Sequence, residues 1–344
     1  MKITAKIIKR FNLLFKILLV VLVYLFLFFE LAKHKDDLWT SILTNTSNLQ
    51  LNYFWFAVIL MPINWLIESI KWRYLIRKIE HIKLWDAYQA VFAGNAISIF
   101  TPNRIGDYLG RIFILKKGDR IDGTVVTIAG NISQLLVTLL MGSLSLIYFS
   151  DQINTNFLHW PSYIIILLKI IITIIDILLL LLFFRFPHLE QQLNNNIGIS
   201  KYPIFRHLNL LSDFKSHELI LVLLLSLSRF MVYSIQFYLI FRAFHINFAF
   251  GEGLLIVFLL FFGITVVPSI AVAELGIRGL ISIFVFNILW QGQINMNDLE
   301  TAIVSSSSLL WLINLALPAM IGGLFIFKLR FLRKKDEINI HLSN

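Results

Sequence analysis

The chain contains no cysteine, which removes disulfide bridges, thiolate metal sites and cysteine nucleophiles together. Charge is scarce: 15% of residues are charged, against roughly 25% in an ordinary soluble domain. A chain of 344 residues with so few charges cannot cover a folded surface in water. Nucleotide and metal motifs are also missing. There is no Walker A stretch for an ATPase and no HExxH pair for a zinc hydrolase. The eight histidines stand mostly at span ends or in loops. The longest polar stretch, residues 185–216, is too short for a catalytic domain and reads as a cytoplasmic connector on the membrane surface.

Long apolar runs take the place of what is missing. Ile17–Leu31, Tyr53–Ile67, Val125–Phe149, Tyr163–Phe184, Leu219–Phe241, Leu254–Val267 and Ala302–Phe327 approach or exceed the roughly 20 residues that a helix needs to cross hydrocarbon. The reading is an all-α polytopic membrane bundle. The basic N-terminus followed by an apolar run resembles a signal peptide, but Glu30, Leu31 and Lys33 stand where a small-residue cleavage site would be. An uncleaved first helix is expected.

The net charge of +10 comes from clusters at span ends, where Lys and Arg set orientation and meet anionic lipid heads; nucleic acid is not an expected partner. Basic residues gather in 1–16, 71–83, 104–120, 185–216 and 328–335, all placed in the cytoplasm with both termini. Segments 150–160 and 291–300 lack Lys and Arg and are placed outside, with 32–50. This order works only if 84–117 returns to its own side. That stretch holds Gly94 and Asn95, is broken at Pro102 and continues through Gly106. A re-entrant hairpin is expected there, its irregular backbone covered by protein or a watery cavity.

The second half repeats the plan. Tyr74–Ile82 and Tyr238–Ile246 match at five of nine positions. A similar offset aligns Pro102 with Pro268 and Asp107/Arg111 with Glu274/Arg278. The copies differ in flanking charge, so they are expected to face opposite sides, as the inverted repeats of many transporters do. The expected organisation is about seven full spans plus two re-entrant hairpins. The first repeat is 1–150 (spans near 12–32, 52–72 and 121–149; hairpin 84–117). The second is 151–335 (spans near 161–184, 217–243 and 298–327; hairpin 251–290). A cytoplasmic tail occupies 336–344.

Charges at membrane depth are costly and mark candidate sites. Asp107 and Arg111 are four apart and share a helix face, with Arg104 one turn earlier. Glu274 and Arg278 repeat that spacing. Arginine's planar fork suits phosphate, so these five residues are the candidate lipid head-group site. Two acid–Arg pairs that merely pin the hairpins would give the same pattern. Gly94, Asn95, Pro102, Gly106, Pro268 and Gly276 are the candidate hairpin backbone positions. Glu68, Lys169, Asp176 and Arg229 are further intramembrane charges, for coupling or for structure. Lys169 and Asp176 lie on one helix face and can pair through a neighbour. The serine run Ser305–Ser308 reads as a tight packing surface.

The first half resembles a flippase-like transmembrane family named after lysylphosphatidylglycerol synthase. The resemblance rests on Trp72-Arg73-Tyr-Leu-Ile, on Gly94-Asn95, and on Thr101-Pro102-Asn-Arg104-Ile-Gly106-Asp107-Tyr-Leu-Gly-Arg111, close to an N-x₆-P-x-R-x-G-[DE]-x₃-R pattern. Pro268 and Ala273-Glu274-Leu275-Gly276-Ile277-Arg278-Gly279 resemble the family's second motif, with the acid before the Arg instead of after it. The resemblance implies transfer of a phospholipid or lipid-phosphate head group between leaflets. With only a short tail after 328–335, the chain is expected to lack the soluble aminoacyltransferase domain of the best-studied members and not to make lysyl-lipid itself. It is expected to be no enzyme, to need no cofactor or resident metal, and to lie in a bacterial plasma (inner) membrane. Two alternatives stay open. One is a membrane partner subunit of a separate lipid- or envelope-modifying synthase. The other is a polyprenyl-phosphate-dependent enzyme, which would need an acidic catalytic cluster. A homo-oligomer is compatible with either.

Overall fold

The computed structural model describes residues 5–33, 49–99, 101, 105–197, 207, 209–267, 271–289 and 296–331. Within these, the side chains of 5–9, 30–33, 109, 186–197, 209, 271–275 and 296–298 lie outside the description. All regular structure among the described residues is helical. Hydrocarbon imposes this, because a helix satisfies its backbone polar groups within its own segment.

In chain order the helices are α1 (Ala5–Lys33), α2 (Leu51–Ile76), α3 (Leu84–Ser98), α4 (Ile105–Ile112), α5 (Arg120–Ile153), α6 (Ser162–Ile197), α7 (Ser216–Ala243), α8 (Phe250–Val266), α9 (Ala271–Leu289), α10 (Met296–Trp311) and α11 (Leu317–Phe325). Wide turns extend α5 through Asn154–Leu158 and join α10 to α11 through Leu312–Ala316. Among the described residues, six stretches are long and apolar enough to cross a membrane: Arg10–Phe29, Leu51–Ile76, Arg120–Leu158, Ser162–Arg185, Ser216–Ala243 and Leu299–Lys328. About seven are expected from the sequence. The six correspond to the six spans whose bounds were read from the sequence, and the run Leu254–Val267, read as part of the hairpin 251–290, folds into α8, a helix of 17 residues. At 1.5 Å per residue, α8 reaches about 25 Å and α3 about 22 Å, both short of a full crossing.

The antiparallel pair α2 and α7 forms the centre. Gln50 N–H donates to the Ala243 carbonyl at 3.0 Å at one end. Gln236 Nε2 donates to the Ala57 carbonyl at 2.7 Å further in. At the other end Arg77 and Lys78 both pair with Glu218, at 2.5 and 2.7 Å. Large apolar side chains elsewhere point outward, as a lipid-facing surface requires. On α6, Ile166, Leu167, Ile170, Ile174, Leu178 and Leu181 are all exposed.

The basic segments meet at one end of the molecule. Lys16 Nζ donates to the Phe327 carbonyl and Arg330 N–H to the Phe113 carbonyl. Arg120 donates to the carbonyls of Arg330 and Phe331. Glu80 accepts backbone N–H bonds from Lys116, Lys117 and Gly118 at 2.8–3.0 Å. The segment 84–112 therefore leaves from Glu80 and returns to it. The far end carries Gln50–His245, Lys169–Asp151 and the donation from Asn156 to the Ile288 carbonyl.

Packing pairs recur between the halves. α3 packs on α11 as α8 packs on α5; α3 packs on α4 as α8 packs on α9; α4 packs on α5 as α9 packs on α10. The peripheral helices follow suit, α1 lying on α11 and α6 on α5.

Candidate functional site

The inward face of α2 is polar. Asn64, Trp65, Glu68, Lys71, Trp72 and Leu75 recur at three- and four-residue steps and are all buried. A sequence window sees only an apolar run there, because the lipid-facing residues Ile59, Ile63, Leu66 and Ile70 dominate the average.

Glu68 is the hub of this face. It is 1% exposed and meets three cations: Lys71 Nζ at 2.8 Å, Arg111 at 2.7 Å and Arg229 at 3.2 Å. Arg111 reaches it from the hairpin and is itself gripped by Asp107, whose two carboxylate oxygens accept from Nε at 2.8 Å and Nη2 at 2.7 Å. The Asp107–Arg111 pair expected from the four-residue spacing is thus present. It extends into a five-membered cluster drawn from α2, α4 and α7. Three cations face two carboxylates, leaving one positive charge unmatched within the cluster. Lys71 Nζ also approaches Ser226 Oγ at 3.4 Å, and Ser226 bonds Ser133 at 2.8 Å. Burying isolated charges would cost several kcal/mol each, so the cluster survives only as a connected network.

Close backbone approach positions the hairpin limb. A Cβ on Gly94 would stand 2.7 Å from the Asp107 carbonyl oxygen and 2.8 Å from its carboxylate. A Cβ on Gly106 would meet the Ile97 carbonyl carbon at 2.6 Å. α3 and α4 therefore touch at glycine, and the Asp107–Arg111 pair is carried into the bundle. Asn95 is buried, its Nδ2 pointing to the Leu315 carbonyl at 3.4 Å in the wide turn between α10 and α11.

Other expectations fare differently. Pro102, Arg104 and Pro268 lie outside the described residues, as does the side chain of Glu274. Arg278 is 7% exposed and donates to Tyr233 Oη at 3.3 Å. Among the described residues, a methyl group added to Gly276 would have nothing within 4 Å, whereas one on Gly263 would meet Ile281 at 2.9 Å. Lys169 does not pair toward Asp176. It reaches across to Asp151 at 2.8 Å near the far end, while Asp176 takes Ser143 as hydrogen-bond partner. Helix packing decides this, since α6 lies on α5 and offers Lys169 a closer carboxylate than one two turns along its own helix.

Sequence reasoning also misplaced Lys71. Grouped with the cytoplasmic cluster 71–83, it is instead 1% exposed and paired with Glu68 three residues earlier. That i,i+3 spacing was a readable signal. Trp65 was missed altogether; its ring lies 5.6 Å from the Arg229 guanidinium carbon. At the basic end, Asp119, Asp122 and His207 gather their ligand atoms within 4.8 Å. Two have local roles: Asp119 caps α5 through Ile121 N–H, and Asp122 bonds His207 at 2.7 Å.

Comparison with known proteins places the chain beside a described family. The model of the family described as the lysylphosphatidylglycerol synthase TM region covers residues 13–294. Neither a curated protein nor a solved structure matches the chain significantly.

Proposed function

The chain belongs to the lysylphosphatidylglycerol synthase TM region family, and from that premise we propose that it is a lipid translocator, carrying a phospholipid or lipid-phosphate head group between leaflets of a bacterial plasma membrane. The observation that carries this reading is the buried cluster Asp107–Arg111–Glu68–Lys71–Arg229, with its surplus positive charge, where the α3–α4 limb meets the antiparallel spans α2 and α7. An unmatched cation in a low-dielectric bundle favours an anionic group, and every glycerophospholipid carries a phosphate. The recurring packing pairs and the return of 84–112 to Glu80 support two inverted repeats with re-entrant limbs. Many transporters place a site between halves of that kind.

Reconstitution in liposomes with leaflet-labelled phospholipid tests the proposal. Wild type is expected to move label faster than protein-free vesicles. Arg111→Ala, which leaves Asp107 without its partner and Glu68 with one cation fewer, is expected to fall to background. Arg111→Lys keeps the charge and reports on folding. Equal rates for wild type and Arg111→Ala, both at background, would sink the idea.

A second reading, the membrane partner of a separate lipid-modifying synthase, is favoured by the family description itself, which ties this membrane region to a synthase. It predicts that purified chain moves no lipid until a synthase is supplied.

A further inference from the structure

Two donors in the cluster have no acceptor. The Nε–H of Arg229 and the Nε1–H of Trp65 are both buried, and among the described residues no hydrogen-bond partner lies within reach of either. Trp65 is 6% exposed. The two side chains lie against each other, the Arg229 guanidinium 5.6 Å from the indole. Buried donors of this kind are nearly always satisfied, and leaving one bare costs about 1–3 kcal/mol. Arg111, by contrast, is committed: Nε and Nη2 go to Asp107 and Nη1 to Glu68. Lys71 is held by Glu68. Arg229 holds Glu68 at 3.2 Å, a longer contact than Lys71 or Arg111 makes with that carboxylate, and Gln134 at 3.5 Å, and is 23% exposed. The loosely held cation and one bare donor thus coincide on Arg229, and the second bare donor lies on the neighbouring Trp65.

We propose that Arg229 and Trp65 form an anion subsite that takes a phosphodiester oxygen, with Gln134 beside it and the Arg111 pair acting as its scaffold. The assignment rests on the translocator reading for its substrate, and the charge and donors are independent of it. An apolar cavity of about 330 Å³ favours a lipid over a free anion. Its walls include Leu75, Ile128, Ile132, Leu136, Leu179 and Val222. Leu75 lies one turn beyond Lys71 on α2, the helix that carries Trp65. Val222 lies seven residues from Arg229 on α7, a rise of about 10 Å. A phosphate on Arg229 thus has an acyl-chain groove on the same two helices.

The test is binding, measured apart from transport. Purified full-length protein in detergent is titrated with a short-chain phosphatidylglycerol and, separately, with inorganic phosphate. Arg229→Gln leaves two cations against two carboxylates, so it is expected to fold with undiminished thermal stability and to bind the lipid at least about tenfold more weakly, the loss of a charge-assisted bond. Trp65→Phe keeps a ring and removes the donor; about fivefold weaker binding is expected. Unchanged lipid affinity in both folded variants overturns the subsite. Should Arg229→Gln fail to fold, Trp65→Phe decides alone. Inorganic phosphate that displaces the lipid at equal concentration overturns the lipid assignment. If both variants lose binding while wild type moves no lipid in vesicles, the subsite stands and the translocator reading falls.

Discussion

Replacing Gly94 with alanine adds one methyl group at the crossing of α3 and α4. That methyl would lie 2.7 Å from the Asp107 carbonyl oxygen, 2.8 Å from the Asp107 carboxylate and 3.2 Å from Arg111 Cγ. Ordinary van der Waals contact begins at 3.4 Å, so α4 must retreat by about 0.7 Å at this point. The carbonyl is backbone and cannot rotate aside. Two effects oppose. Alanine gains about 0.5–1 kcal/mol over glycine within a helix. Overpacking against a rigid neighbour costs about 1–3 kcal/mol. The second prevails, and a net loss of about 1 kcal/mol is expected. Function should suffer more than stability. The Arg111–Glu68 bond is 2.7 Å, and a retreat of this size stretches it to about 3.4 Å, beyond a good hydrogen bond. Gly251→Ala is the control, because no described residue lies within 4 Å of a methyl there. Thermal melts in detergent are expected to rank Gly251→Ala at or above wild type and Gly94→Ala below it. In labelled liposomes Gly94→Ala is expected to lose most of its lipid movement while Gly251→Ala keeps it. A Gly94→Ala protein as stable and as active as Gly251→Ala would show that the crossing does not hold the charge cluster in place.

Other perturbations separate buried charge from surface charge. Glu68→Gln leaves three cations facing one carboxylate and is expected to cost about 3–5 kcal/mol in a melt; adding Lys71→Met should recover part of this, and strict additivity would refute the network. Lys169→Ala removes a pair whose Asp151 side chain is 78% exposed, and unfolding should shift by less than about 0.5 kcal/mol. Glu80→Ala strips the acceptor from three backbone N–H groups and is expected to speed protease cleavage within 113–119. Because no native cysteine interferes, cysteines at Lys83 and Lys117 can be labelled directly; both should react from the same face of the membrane, and labelling from opposite faces would end the re-entrant reading.

The legible part of this protein is whatever depends on neighbours along the chain. Helix was the expectation for every long apolar run, since hydrocarbon leaves a single segment no other means of satisfying its backbone. The Asp107–Arg111 pair was visible because four residues make one helical turn. Gly94 and Gly106 stood out beside a proline, and both proved to be close approaches. At Gly276 the second half keeps the residue, but no such contact is present among the described residues. The same logic placed Lys71 in water on the strength of its basic neighbours, although its own Glu68 lay one turn away.

By itself, then, the sequence determined that the chain is helical and built for a bilayer, and that Asp107 and Arg111 share a helix face on which they can pair. The folded chain decided which charges meet. Arg111 finds Glu68 across 43 positions, and Arg229 finds Glu68 and Trp65 from another span. Those distances depend on how α2, α4 and α7 cross, and crossing is set by glycine contacts and side-chain packing between helices that no local spacing encodes. The surplus positive charge, on which the proposed function turns, exists only once the three helices are in place.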